Sequence, residues 1–235
     1  MSTFFERREI VTPGDLLAEG EYIPGENTYS ENKKIYASRL GLVQYNNKQI
    51  DVIALKAFYM PKAGDMVIGT IAEVGFNGWM VDINSPYLAL LRASDVLGRP
   101  FRPQKDELIE VLNEGDLVIA KIASYDRAHN PKLTVDEPGL GRVTHGQIIE
   151  ITPSKIPRVI GRKGSMISMI KKETGCHLII GHNGVVLITG KSLQAEKLAI
   201  KALKKVEAES HTSGLTDRTA QMIMKEKEKE ESKNE

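Results

Sequence analysis

The chain has 235 residues, 41% hydrophobic and 27% charged, with a formal net charge of +1, which suits a globular chain of two or three small domains. No apolar run approaches the roughly 20 residues that span a membrane, so no membrane partner is expected, and Met1 to Arg8 lack the basic-then-apolar order of a secretory leader. The single cysteine, Cys176, excludes an internal disulfide and fits a reducing, cytoplasmic setting.

Residues 1–60 read as short strands broken by turns. Pro-Gly pairs mark turns at 11–15 and 23–27. Strands are expected at 34–37, 41–45 and 49–55, the last two joined through Asn46 and Asn47. No helical periodicity is present, which predicts a small all-β module. Seven Lys or Arg against eight Asp or Glu leave it without a basic patch. Its turn-rich strand edges suit docking to protein better than to a polyanion.

Residues 61–144 change rhythm. Strands are expected at 65–74, 79–83, 87–91, 115–122 and 132–135, with a longer link between the third and fourth. Five strands so spaced predict an OB barrel. Such barrels hold single-stranded nucleic acid through a basic groove and stacked bases. Phe76, Trp79, Tyr87 and Tyr125 are the stacking candidates. Strand alternation puts Trp79, Val81 and Ile83 on one face and Met80 and Asp82 on the other, which assigns Trp79 to the core. The binding candidates are Lys121, Tyr125, Arg127, His129 and Lys132, around the last hairpin. A plain solvated loop is the competing reading for that cluster.

Residues 145–210 alternate. A strand at 147–151, a short helix at 155–160, a helix at 165–174, strands at 177–180 and 185–188 and a helix from 193 to 209 make an α+β layer. This stretch carries eleven Lys or Arg against five Asp or Glu, a basic domain beside mildly acidic ones, which points to a polyanionic partner or, equally, to a solvated helix face rich in lysine. Cys176, between Gly175 and the apolar 178–180, reads as a buried structural thiol. Gly-x-x-Gly occurs at 75–78, 161–164 and 181–184, and alone it is a weak signal. Only the middle copy lies between two helices and holds cations.

Gly161 and Gly164 let a sugar-phosphate chain approach the backbone. The helix starting at Ser165 offers unpaired amides to a phosphate. Arg162 and Lys163 supply charge, and Arg158 completes the candidate set. Val159, Ile160, Ile167 and Ile170 are expected to wall a groove. That is the way a KH domain clamps about four nucleotides. The alternative is a helix-helix turn with solvated cations. The run from Gly184 to Ser192 imitates a P-loop, but it has five residues, those of an apolar strand, where four flexible ones are needed. The histidines have no carboxylate or cysteine partners at ligand spacing. No catalytic residue, metal or cofactor is expected, and the chain is read as a non-enzyme. Residues 211–235 form a charged tail, whose run at 225–231 predicts a frayed helix or disorder.

The fold class is therefore multidomain and mostly β with an α+β part, in the order β module (1–60), barrel (61–144), KH domain (145–210) and tail (211–235). Linked motifs narrow this further. Pro13-Gly14-Asp15, the run from Gly64 to Gly69, Trp79 to Ile83 with Ser85-Pro86-Tyr87, Lys155 to Gly161, Gly181 to Gly184, and Glu209 to His211 with Gly214 to Arg218 recur in one order. Over residues 7–220 they closely resemble the archaeal exosome cap subunits called ribosomal RNA-processing protein four.

The resemblance implies an N-terminal domain, a barrel of the ribosomal-protein-S-one type and a KH domain. It further implies a trimer of non-catalytic cap subunits on a hexameric ring of phosphorolytic RNase-PH-like subunits. The cap would bind single-stranded, adenine-rich RNA and feed its 3′ end to the pore. Two features depart from that pattern or add to it. Asn77 and Met80 stand where S-one-type motifs usually have aromatics, which weakens a stacking platform. The Gly181 to Gly184 turn is expected to be structural, with Asn183 and Gly184 at positive φ. A free-standing RNA-binding regulator or ribosome-associated factor remains the alternative.

Overall fold

The computed structural model describes residues 2–55, 58–126, 128–210, 212 and 214–234, with side chains through Glu228. The chain forms two compact units, residues 1–57 and 58–235.

The first unit is built of eight short strands: β1 (Ser2–Thr3), β2 (Ile10–Val11), β3 (Leu16–Glu19), β4 (Ile23–Pro24), β5 (Thr28–Glu31), β6 (Lys34–Ala37), β7 (Gly41–Asn46) and β8 (Gln49–Ala54). They pair as two four-stranded sheets, in the orders β1-β3-β6-β5 and β2-β7-β8-β4. Val11, Leu17, Ile35, Val43, Ile50 and Val52 fill the core between inward faces. The turn expected at 11–15 is present in part. The Asp15 carboxylate accepts from the Thr12 amide at 2.7 Å, while Val11 still belongs to β2. The turn expected at 23–27 starts later, because Ile23 and Pro24 pair in parallel with β8. A proline is tolerated there on an edge strand. Asn47, at φ 55°, turns the β7–β8 hairpin.

The second unit opens with a closed barrel. Its strands are β9 (Met66–Val74), β10 (Gly78–Asp82), β11 (Leu88–Arg92), β12 (Leu117–Asp126) and β13 (His129–Thr134), and a short β14 (Gly141–Arg142) pairs with β12. The ladder runs β13-β11-β10-β9-β12, and β12 pairs back onto β13. The link between β11 and β12 carries helices α1 (Ala93–Leu97) and α2 (Leu108–Val111). Trp79 is fully buried, and its indole N–H donates to the Leu112 carbonyl at 2.8 Å. Alternation on β10 thus places Trp79 as expected. Gly78 has no room for a Cβ, which would stand 2.2 Å from the Leu91 carbonyl oxygen.

The α+β layer follows. It comprises β15 (Gln147–Glu150), α3 (Ile156–Ile160), α4 (Ser165–Thr174), β16 (His177–Ile180), β17 (Val185–Thr189), α5 (Leu193–Ala208) and α6 (Leu215–Asn234). The sheet order is β15-β17-β16, antiparallel throughout. β17 is apolar on both faces for a reason. Val186 and Ile188 meet the helices, while Val185 and Leu187 join Ile68 and Ile119 of the barrel. Cys176 is buried among the helix-side residues, matching the structural thiol.

The boundary drawn at 210 does not match the packing. Leu215 and Ile223 of α6 are buried in the same core as α4 and α5, and Thr219 is buried between them in sequence. Spacings of four keep one α6 face on the layer, and Glu226, inside the run expected to fray, lies in the same helix and pairs with Lys201 of α5 at 2.8 Å.

Candidate nucleic-acid interface

The loop between α3 and α4 has the shape its sequence requires. Gly161 sits at φ 77°, ψ 174° and Gly164 at φ 78°, ψ 13°. The first is a region reached essentially by glycine alone. A Cβ on Gly161 would also lie 2.7 Å from the Met166 amide nitrogen, whereas one on Gly164 would make only ordinary van der Waals contact, 3.9 Å from Ser168 Oγ. Lys163 takes the left-handed conformation, φ 53°. Arg162, Lys163 and Ser165 are exposed, and no described residue pairs with Arg162 or Lys163. The Ser165 amide, expected to be unpaired, instead donates back to the Arg162 carbonyl and closes the loop.

The groove walls differ from expectation. Val159 and Ile170 are fully buried and belong to the core. Ile160 is exposed and Ile167 half-buried, so those two line the open side. Ile160 is one residue past Val159 and so turned about 100° from the core, while Ile167, three residues before Ile170, lies at the edge of the same buried face and packs partly against the core. Arg158 is exposed and donates from Nη2 to the Thr212 carbonyl at 2.6 Å.

On the barrel, strand register defines an outer belt. Glu73 lies opposite Met80, Met80 opposite Leu90, Leu90 opposite Lys132, and Lys132 opposite Ser124. Lys132 is exposed in the middle of it. Met80 and Leu90 are half-buried, giving an apolar shelf where an aromatic would stack. Phe76, 83% exposed in the β9–β10 turn, projects near one end of β10. Tyr125 is half-buried and tilted against Tyr87, with ring centroids 5.7 Å apart. The charge of Lys121 is met by Glu137 at 2.6 Å, so it is less available than its position suggested. His129 Nδ1 lies 2.9 Å from Asp126, which holds the Asp126 carboxyl below its usual range together with the Ala128 amide. Arg127 lies outside the described residues. Among the described residues no cluster of His, Cys, Asp or Glu could hold a metal.

The turn at 181–184 joins barrel to sheet. Gly184 is at φ 86°, as expected, but Asn183 has ordinary negative φ. Its contribution is its carboxamide, buried against the barrel backbone. Sequence reasoning also missed Arg218 and Thr212. The spacing of Leu215, Thr219 and Ile223 signalled a docked helix that would bring them back to α3.

A closed barrel joined to a strand-helix-helix-strand-strand-helix layer with a cationic glycine loop defines a protein of the S1–KH class. The family model described as the exosome RNA-binding protein RRP4 N-terminal domain matches residues 8–56, the RRP4 S1 domain model 58–124, and the KH domain model 146–205. The exosome complex component Rrp4 of Thermofilum pendens is 43% identical over 92% of both chains. That of Methanothermus fervidus is 44% identical over 94% of this chain and 98% of its own. A crystal structure assigned to an exosome complex RNA-binding protein superposes with a TM-score of 0.71 at 44% identity, covering 73% of this chain and 98% of that one. The chain belongs to the Rrp4 family of exosome complex components.

Proposed function

We propose that this chain is an RNA-binding cap subunit of an exosome. Three copies sit on a hexameric ring of RNase-PH-like subunits, bind single-stranded RNA with a preference for adenine-rich sequence, and feed its 3′ end to the ring. The chain adds no catalysis of its own and works in the cytoplasm. The observation that carries this reading is the α3–α4 loop, where exposed Arg162 and Lys163 stand beside a helix start and two glycines. The names of the Rrp4 relatives support the exosome assignment. The barrel belt around Lys132 offers a second surface, and three copies around one opening turn later contacts into intramolecular ones, raising avidity by about 10²–10⁴.

The test is RNA binding as a function of salt. Replacing Arg162 and Lys163 by alanine removes two phosphate contacts. The slope of log K against log salt should fall by about 1.4, at roughly 0.7 per single-strand phosphate. Unchanged affinity and slope would show that this loop faces away from RNA.

A further inference from the structure

Thr212 and Arg218 lie beyond the matched KH residues, 146–205, yet Thr212 is bonded to both Arg158 of α3 and Arg218 of α6. After α5 the Thr212 amide donates to the Glu209 carbonyl at 2.9 Å, and the Thr212 hydroxyl donates to the same oxygen at 2.8 Å. This tight turn carries the chain back to α3. There Arg158, three residues before Gly161, donates to the Thr212 carbonyl at 2.6 Å. Arg218, in the first turn of α6, approaches from the other side. Its Nη2 donates to the Thr212 hydroxyl and lies 3.3 Å from Glu209 Oε2. Two guanidiniums from different helices thus converge on one residue, and one of them belongs to the helix that ends at the glycine loop.

Charge is in excess there. Arg158 meets only a carbonyl dipole among the described residues. Arg218 shares the single Glu209 carboxylate with Lys205. The Arg218 side chain is 45% exposed, and a guanidinium has five donors in a fork that matches phosphate oxygens. A latch needed only to hold α6 would gain nothing from cations that outnumber the one carboxylate they share. A polyanion would offset that repulsion.

We infer that Arg158 and Arg218 form a second phosphate site, extending the grip on single-stranded RNA past the roughly four nucleotides of a KH groove. This rests on the loop reading above. The C-terminal helix then contributes a ligand contact and not only packing.

The experiment uses the full chain with adenine oligonucleotides of about four and about ten nucleotides, chosen against the groove's length. Arg218→Gln should lower the salt slope on the longer RNA by about 0.7 and leave the shorter one unchanged. Arg218→Lys, which keeps the charge but loses the fork, should retain the slope. Arg158→Gln removes a cation from α3 without altering α6 and should reproduce the loss. If Arg218→Gln or Arg158→Gln leaves the longer RNA unaffected while the Arg162, Lys163 double alanine variant weakens it, the two arginines are a latch and the inference is wrong. A loss in Arg218→Lys equal to that in Arg218→Gln also overturns it, since bonding geometry and not charge would be at stake. If the double variant is itself without effect, the loop reading fails first and the inference falls with it.

Discussion

The carboxamide of Asn183 donates to the carbonyl of Ile68 at 2.7 Å, across the seam between sheet and barrel. The same nitrogen donates to the Ile83 carbonyl at 3.0 Å, and the Asn183 carbonyl accepts from Asn84 Nδ2 at 3.1 Å. The adjacent His182 amide donates to the Met66 carbonyl at 2.8 Å. Asn183 is fully buried, and Gly184 lets the turn close, since a Cβ there would stand 2.3 Å from the Ile151 carbonyl oxygen. The turn between β16 and β17 is therefore spent on holding two candidate RNA surfaces at a fixed spacing.

Asn183→Ala should accordingly destabilise the barrel–KH unit by about 2–6 kcal/mol, at about 1–3 kcal/mol for each of the two carbonyls left unpaired. Asn183→Asp should cost at least as much at neutral pH. Its carboxylate cannot donate to either carbonyl, and acidification to a protonated carboxyl should relieve part of the loss. Urea unfolding midpoints of the three proteins measure this. An alanine variant as stable as the parent would show that the clasp is incidental.

Much of this was legible in the sequence, and the limits have physical causes. Trp79 could be placed because a strand has a period of two, and the turn at Gly161 to Gly164 because two glycines between helical stretches break the helix there. The role of Asn183 was hidden, since hairpin turns favour asparagine on local grounds and its partners lie about a hundred residues away. The wholly apolar Val185-Val186-Leu187-Ile188 held the clue: a strand apolar on both faces must be covered twice, here by helices and barrel. Val159 and Ile170 were misjudged because an apolar residue beside a functional loop serves core and groove equally well in one dimension.

The two glycines of the α3–α4 loop should differ in their tolerance. Gly164→Ala needs only a left-handed alanine with no steric clash, a cost of about 1–2 kcal/mol. Gly161→Ala adds a clash with the Met166 backbone to strain of about 1–3 kcal/mol in a glycine-only region, so its total should exceed about 3 kcal/mol. Amide exchange across the start of α4, read beside RNA affinity, separates them. Equal behaviour of the two variants would contradict the close approach at Gly161.

Acid should release the β11–β12 link. Arg99 bonds Asp106 through both guanidinium nitrogens, at 2.8 and 2.5 Å, and the Arg102 amide donates to the same carboxylate at 2.8 Å. Arg99 first, then the Arg102 amide, hold the Asp106 carboxyl down at about 2. A carboxyl lowered on folding contributes stability above its unfolded pKa of about 3.9 and loses it as pH falls through the folded value. Loop protection should therefore fade between about pH 4 and pH 2, and solvent screening keeps the global effect small. A carboxyl-carbon NMR titration of Asp106 should show the low midpoint, and Arg99→Gln should return it to the ordinary range. A normal midpoint in the parent would remove the staple from the account.

Residues 1–57 should anchor the chain to the ring. They lack a basic patch, with seven Lys or Arg against eight Asp or Glu through residue 60. The outer face of the β2-β7-β8 sheet instead presents an apolar row. Ile10 lies opposite Leu42, and Leu42 opposite Ile53, with Ile10 60% and Ile53 48% exposed. A contiguous exposed apolar row on a sheet face suits protein contact far better than RNA. Charge placed there should act on docking alone. Ile10→Glu with Ile53→Glu, or removal of the module, should leave the RNA affinity of the barrel and KH unit unchanged. Either change should abolish pull-down of ring subunits and the cap's enhancement of RNA decay in a reconstituted assay. Purified chain without the ring should release no nucleotides with either phosphate or divalent metal present. If the altered chains still co-purify with the ring and stimulate it fully, docking uses another surface. If they lose RNA affinity instead, the front module belongs to the RNA path and the division of labour between the two units is wrong.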